Sequence, residues 1–298
     1  MRQGVTLFAI AAAVGLACGA LIPAASAVPA ARVGVVAAEN FYGDLVHQIA
    51  GDNVAVTSII SDPTVDPHLY ETNAKDAAAV ANARLIVQNG LGYDTFMDHL
   101  IAASPNPQRK EILVARLTGH KPGDNMHLWY DPQTMPQVAQ AVTDALVQLD
   151  PVHAVAYRDG HQRAAASLAS LAQRVATFKA RFAGTPVAVT EPVFNYMAQA
   201  IGLIVRTPEA FQKAIEDGRD PPAQALAQTQ DLLTQHRVKV LLYNTQTVSP
   251  ITTKIQQLAR QAGIPVVGVS ETEPPKMTYQ RWMLDQLNRL GASLGKGM

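Results

Sequence analysis

Short runs of β-branched residues alternate along this chain with alanine-rich stretches of helical character, and this alternation constrains the fold more than any other feature. Strands connected through helices of about ten residues pair in parallel, as β-α-β units. The sequence therefore predicts an α/β fold with two sets of such units. The predicted strands are residues 32–37, 53–60, 84–89 and 112–115, then 186–190, 202–205, 238–243 and 265–269, and the predicted helices include 42–50, 73–83, 193–200, 223–236 and 251–262.

One long helix is predicted between the two sets of strands, over residues 151–182. Pro151 suits the first turn of a helix, and no proline follows it within this stretch. At about 1.5 Å per residue the helix would be somewhat under 50 Å long. The alternative is two shorter helices that break at Gly160. We expect a first lobe of residues 28–150 and a second of residues 183–298, joined by a rigid helix, with a cleft between them.

The first 27 residues have the pattern of a secretory signal peptide. Arg2 precedes an almost wholly apolar run at residues 5–22, and residues 25–27 form a small-x-small cleavage site. A retained membrane anchor is the alternative, since the run is nearly long enough to span a bilayer. Pro23 and the cleavage site favour removal, so we expect a mature protein in the periplasm.

Cysteine and charge exclude several classes of protein. Cys18 is the only cysteine, and the residues before it fit a lipoprotein signal poorly, so a lipid anchor is not expected. The mature chain would contain no disulfide and no thiolate metal ligand. Loss of Arg2 leaves 24 − 1 = 23 basic residues against 24 acidic ones. The chain has no basic stripe for nucleic acid and no second long apolar run, which a permease would need. It also has no P-loop sequence, which a transport ATPase would need.

Histidine and glutamate recur where a predicted strand ends or a helix starts. Alone, each has an ordinary explanation, because a glutamate at a helix start complements the positive end of the helix. Together they indicate a site, because ligands of α/β sheets bind at the carboxyl ends of the strands. Imidazole and carboxylate suit Zn²⁺, Mn²⁺ and Fe²⁺ better than Ca²⁺ or Mg²⁺. The segments are DPHLYE with His68, NMHLWYDP with His127, TEP with Glu191, and SETEP with Glu271 and Glu273.

Several longer motifs carry a resemblance to a known family. They are DPHLYE at 66–71, QNGLGYD at 88–94, MHLWYDP at 126–132, DPVHAVAY at 150–157, EPVFNYMAQAIGL at 191–203, EDGRDPPAQALAQTQDLL at 216–233 and TYQRWMLDQLNRL at 278–290. From about residue 32 to residue 294 the chain resembles the solute-binding proteins of zinc and manganese ABC transporters, the cluster A-I metal receptors. The resemblance implies a receptor that hands a divalent metal ion to a membrane permease and catalyses no reaction.

The resemblance also implies a set of four metal ligands. His68 and His127 match the first two ligands of the family, and Glu191 stands where relatives carry histidine or glutamate. Glu271 stands where they usually carry aspartate, with Glu273 as a competitor. Two departures are Met before His127, where the family has proline, and the lack of a histidine-rich loop.

Other polar residues near these motifs have two possible roles. Asp66, Asn125 and Asp131 could orient the ligand rings, or they could serve as turn and helix caps. His120 is expected to be exposed. Five more histidines are expected at the surface and two tryptophans in the core: His47, His99, His153, His161, His236, Trp129 and Trp282.

The identity of the metal and two other functions stay open at this level. Bidentate carboxylates would raise the coordination number and favour manganese, whereas the Irving–Williams order favours zinc, and iron is a third candidate. A metal-dependent hydrolase is one alternative, but no His-Glu-x-x-His is present and four protein ligands would leave no open position. An adhesin or metallochaperone is another. We expect a monomer.

Overall fold

The structure is a computed structural model that describes residues 32–64 and 67–295, together with Met1 and Gly4. The described residues from Arg32 onward form one compact unit. Apart from Met1 and Gly4, the predicted signal peptide lies outside the described residues, and so does Cys18 within it. Asp66, a predicted neighbour of the site, also lies outside them. Within the described ranges, no helix is long and apolar enough to cross a membrane.

The first half of the chain forms a four-stranded parallel sheet with the order β2-β1-β3-β4, called the first sheet below. Its central strands are buried on both faces, as expected for a parallel sheet covered by helices. The elements are β1 (Val33–Glu39), α1 (Asn40–Ala50), β2 (Val54–Ile60), α2 (Ala74–Asn82), β3 (Leu85–Gln88), α3 (Thr95–Ala103), β4 (Lys110–Leu113), α4 (Val114–Leu117) and α5 (Thr134–Leu149).

One continuous helix, α6 (Ala154–Phe182), follows a 3-10 turn at Pro151–His153 and confirms the predicted long helix. It does not break at Gly160. Gly160 is buried where α6 passes α1, and a Cβ atom there would lie 1.9 Å from the backbone oxygen of Ile49. The glycine therefore serves the close approach of two helices.

The second half repeats the arrangement as a four-stranded parallel sheet with the order β6-β5-β7-β8, called the second sheet. The two sheets confirm the predicted α/β class. The elements are β5 (Pro186–Val189), α7 (Asn195–Ala200), β6 (Ile204–Val205), α8 (Glu209–Glu216), α9 (Ala223–Thr234), β7 (Leu241–Asn244), α10 (Pro250–Gln261), β8 (Val266–Val269) and α11 (Tyr279–Gly295).

Some boundaries differ from the prediction. The fourth strand lies two residues earlier than predicted, because Val114 and Ala115 begin α4 instead of ending β4. A short apolar run does not distinguish a strand from a buried helix end. Strand β6 has only two residues, and helices α3, α4, α5, α8 and α11 were not predicted.

A continuous apolar core joins the two sheets. Trp129 and Trp282 are buried in it, as predicted, and the ring of Phe41 stacks on Trp129 at 4.6 Å. The hydroxyl of Tyr279, on α11, donates to the backbone oxygen of Trp129 at 2.6 Å. Because one core contains side chains from both halves, the lobe limits at residues 150 and 183 stay a prediction.

Candidate metal centre

Three of the four predicted ligands converge at the carboxyl ends of the two sheets. The Nε2 atom of His68 lies 3.7 Å from Oε2 of Glu271, and Nε2 of His127 lies 3.5 Å from the same oxygen. One ligand atom from each of the three residues lies within 4.8 Å of the other two. Two ligands that bind one zinc ion at tetrahedral angles are roughly 3.3 Å apart, so this spacing fits a metal ion with only small adjustments.

His68 lies in a 3-10 turn, Pro67–Leu69, between β2 and α2. Its ring meets the ring of Tyr93 edge-on, with the centroids 5.3 Å apart. The side chain is 21% exposed, whereas those of His127 and Glu271 are fully buried. His68 therefore marks the side of the site that faces solvent.

The ring of His127 is oriented by Asn125. Its Nδ1 atom lies 2.7 Å from Oδ1 of Asn125, and the amide nitrogen of Asn125 donates to the backbone oxygen of Pro192 at 2.8 Å. With its amide nitrogen committed to Pro192, Asn125 presents an acceptor, so Nδ1 carries the proton and the Nε2 lone pair faces Glu271. Asp131 instead accepts the backbone N–H of Gln133 and serves as a turn residue.

Glu271 is held by its backbone in the loop that follows β8. Oε1 of Gln246 accepts the backbone N–H groups of Glu271 and Thr272 at 2.7 and 2.9 Å. Burial alone would raise the pKa of Glu271, but the neighbouring His127 and, less strongly, His68 outweigh it and hold the pKa below its ordinary value. Glu271 therefore stays a carboxylate, which a metal ligand must be.

Glu191 directly follows β5 and is buried, but its carboxylate lies outside the group of three. Asn244 connects it to that group. The amide nitrogen of Asn244 donates to Oε2 of Glu191 at 2.8 Å and also to Oε1 of Glu271. Asn244 was not predicted as a site residue, although a polar side chain at the end of a buried strand was the available signal.

Comparison with known proteins places the chain in a family. Residues 35–292 match the sequence model of a family described as zinc-uptake complex component A, periplasmic. The chain belongs to this family. It is 25% identical over 289 residues to a putative metal-binding protein of Treponema pallidum (strain Nichols), covering 89% of this chain and 88% of the relative.

Solved structures agree with this fold. The periplasmic zinc-binding protein TroA of Treponema pallidum has a TM-score of 0.75 at 20% identity, over 88% of this chain and 99% of TroA. The solute-binding protein FpvC of Pseudomonas aeruginosa, solved with Mn²⁺, has a TM-score of 0.73 at 22% identity, over 90% of this chain and 100% of FpvC. Both likenesses show that this member of the zinc-uptake component A family has the fold of metal-binding solute receptors.

Glu273, the competitor of Glu271, lies elsewhere in this family member. Its backbone N–H and C=O pair with the side chain of Asn40, and it is not part of the group of three. Burial and then the nearby Asp44 raise the pKa of Glu273 to about 9. A carboxyl group that holds its proton near neutral pH is a poor metal ligand.

Glu216 is a second neighbour of His127 that was not predicted as a site residue. Its Oε1 atom lies 3.7 Å from Nδ1 of His127, and its Oε2 atom accepts from Nζ of Lys213 at 2.8 Å. The side chain is only 4% exposed. Glu216 ends α8, a helix that was not predicted, so no local signal placed it near the site.

The remaining histidines lie away from the group of three. His120, expected to be exposed, is half-buried, with its Nδ1 3.2 Å from Asp124 and its ring against Tyr196. Of the other five, His161 is half-buried and four are exposed, as expected for the surface: His47, His99, His153 and His236.

Proposed function

We propose that this protein binds one divalent transition-metal ion, zinc or manganese, in the periplasm and delivers it to the permease of an ABC transporter. One observation carries the proposal: one ligand atom each of His68, His127 and Glu271 lies within 4.8 Å of the other two, and the side chains of His127 and Glu271 are fully buried. Neutral imidazoles and a carboxylate are the ligands that these metals accept. The metals named for TroA and FpvC support the same class of ligand.

The charge of the proposed site suits a divalent ion. His68 and His127 bind as neutral rings, and Glu191 and Glu271 would together offset two positive charges. A buried cation needs such compensation, because burial of an unpaired charge is costly. Glu191 would complete the set from the position in which Asn244 holds it.

The enclosure of the site favours a receptor over a metal-dependent hydrolase. A hydrolase needs an open coordination position and room for a substrate beside it. His127 and Glu271 are fully buried, and the cavity of about 550 Å³ beside Asn125 and Glu216 is lined by none of the three converging residues. We therefore propose that the protein is not an enzyme.

Metal analysis of the natural protein tests the proposal. Protein purified from the periplasm without chelators should carry about one zinc or manganese ion per chain by elemental analysis. A His68→Ala, His127→Ala double variant should lose that metal and the accompanying rise in thermal stability. Its matched control changes the exposed His47 and His99 to alanine and should keep both.

An uptake assay tests the delivery step. Cells that lack this receptor should take up the metal poorly, and the natural chain should restore uptake while the double variant does not. Metal binding that persists unchanged in the double variant would remove the proposed site. Binding without any effect on uptake would leave the site but remove the transport role.

A further inference from the structure

We infer that Asn40 is a positioning residue of the metal site, which holds the loop that carries Glu271 against the first half of the chain. The inference rests on the proposed metal-binding function and deepens it. It concerns how a ligand from the second half is brought to the histidines of the first half, and it starts from the polar face of helix α1.

A stripe of three polar side chains lies on one face of α1, at a spacing of four residues that makes them neighbours on the helix surface. All three are half-buried, and each bonds a residue of the segment that follows Glu271. The stripe therefore fixes this segment to the first half of the chain. Its members are Asn40, Asp44 and Gln48, and their respective partners are Glu273, Tyr279 and Gln280.

Asn40 bonds the backbone of Glu273 in both directions. Its Nδ2 atom donates to the backbone oxygen of Glu273 at 2.8 Å, and its Oδ1 atom accepts the backbone N–H at 3.1 Å. Only one orientation of the amide allows both bonds. An asparagine at a helix start usually bonds the backbone of its own helix, but both polar groups of this amide have their partner in a distant loop.

The backbone around Glu271 is held by side chains from both halves of the chain. Oε1 of Gln246, in the second half, accepts the backbone N–H of Glu271 at 2.7 Å. The hydroxyl of Tyr130, in the first half, donates to the backbone oxygen of Ser270 at 2.6 Å. Asn40 holds the residue two positions after Glu271, so the ligand lies between two attachments to the first half.

These attachments matter because the site combines ligands from both halves. Oε2 of Glu271 lies 3.7 Å from Nε2 of His68 and 3.5 Å from Nε2 of His127, and strand β8 anchors its loop to the second sheet only. Without the amide of Asn40, two buried backbone groups of Glu273 would lose their partners, which is unfavourable and would let the loop move. Glu271 would then be less well placed before the ion arrives, and affinity would fall.

Zinc titration of the metal-free Asn40→Ala variant tests the inference. We expect an affinity about tenfold lower than that of the natural chain, as is typical for loss of a residue that orients a ligand. Gln48→Ala is the matched control, because it removes the far end of the same stripe and leaves the bonds around Glu271. Its affinity should equal that of the natural chain. An unchanged affinity in Asn40→Ala, or an equal loss in Gln48→Ala, would overturn the inference.

A double-mutant cycle shows whether Asn40 acts through Glu271. In a Glu271→Ala background, Asn40→Ala should no longer lower the affinity for zinc, because the side chain that it positions is gone. A general effect on the fold would lower the affinity by the same factor in both backgrounds. That result would leave Asn40 a structural residue and contradict its role at the metal site.

Hydrogen exchange of the natural chain tests the attachment without any variant, so it decides even if substitutions at Asn40 impair folding. In the metal-free protein the backbone amide of Glu273 should exchange as slowly as that of Glu271, because both are bonded to side-chain oxygens. Exchange of the Glu273 amide as fast as that of Lys276, an exposed residue of the same loop, would refute the attachment.

The outcomes separate this inference from the proposed function. If the natural chain binds zinc and Asn40→Ala binds it equally well, only the role of Asn40 is removed. If the natural chain binds neither zinc nor manganese, the proposed function is removed, and the inference with it.

Discussion

The Nε2 atom of His127 lies 3.5 Å from Oε2 of Glu271, although one residue precedes helix α6 and the other follows it. Both side chains are fully buried. Nε2 of His127 and Oε2 of Glu271 are buried without a hydrogen-bond partner among the described residues, and a cation bound between them would satisfy both. The contact therefore links the two halves of the chain to the metal on which the proposed function depends.

Replacement of the two acidic residues in the loop after β8 should have unequal effects. We expect Glu271→Ala to weaken zinc binding at least about a hundredfold, because it removes a ligand and not merely an outer-shell partner. Glu273→Ala should change the affinity little, because the side chain of Glu273 lies outside the converging group and the backbone bonds of this residue to Asn40 survive the substitution. Isothermal titration of the metal-free proteins measures both. The reverse order would assign the fourth ligand to Glu273.

Glu216→Gln should weaken metal binding through His127. The carboxylate of Glu216 lies 3.7 Å from Nδ1 of that ring and would help to orient the ring toward the metal, so its loss should cost about tenfold in zinc affinity. Glu209→Gln is the control, because Glu209 is exposed on the same helix and lines the same cavity. Equal affinities in the two variants would show that Glu216 does not act on His127.

The structural role of Glu216 can be separated from its effect on the metal. If Glu216 acts on the ring, the thermal stability of the metal-free variant should match that of the natural chain, while the rise in stability with zinc is smaller. Nitrogen NMR of His127 should also report a changed Nδ1 environment. A large loss of stability without metal would instead indicate that Glu216 mainly holds α8 in place.

The buried acid Glu39 should make the metal-free protein less stable as the pH rises. Burial, and then the nearby Asp94, raise the pKa of Glu39 well above 4.5, and burial raises that of Asp94 to about 6. A group whose folded pKa is raised binds more protons when folded, so its contribution to stability declines as the pH rises above its unfolded pKa. The Glu39→Gln variant should therefore have a larger free energy of unfolding than the natural chain at about pH 8. At about pH 5 the difference between the two should be smaller.

Urea unfolding at both pH values measures this difference. Glu71→Gln is the control, because Glu71 is exposed and its substitution should leave the pH dependence as it is. A stability difference between Glu39→Gln and the natural chain that is the same at both pH values would contradict the raised pKa.

Gly160→Ala should destabilise the protein although alanine favours helices. Its Cβ would meet the backbone oxygen of Ile49 at 1.9 Å, so α1 and α6 would have to separate, at a cost of about 1–3 kcal/mol that exceeds the gain in helix propensity of about 1 kcal/mol. At Gly291, the control, the Cβ would meet the ring of Phe178 at 3.1 Å, which can turn aside. In thermal unfolding, the Gly160→Ala variant should have a clearly lower melting temperature than the Gly291→Ala variant. Equal melting temperatures would contradict the close crossing of α1 and α6.

The sequence by itself determined the parallel sheets, the long helix and the segments that hold His68, His127, Glu191 and Glu271. These features depend on local patterns: β-branched runs between helical stretches, a proline-free stretch after Pro151, and motifs that follow strands. Boundaries were less certain, since Val114 and Ala115 fit either a strand or a helix until α4 packs beside β4.

Only the tertiary structure decided which side chains share the site. Glu271 and Glu273 are two residues apart in one loop, but the carboxylate of Glu271 faces His127, whereas Glu273 lies outside the converging group and bonds Asn40 through its backbone. The contacts of Asn244 with two glutamates from different loops, and of Glu216 with His127, join residues that are far apart in the sequence. Such contacts depend on the register of the second sheet and on its packing against the first, which no local pattern of residues encodes.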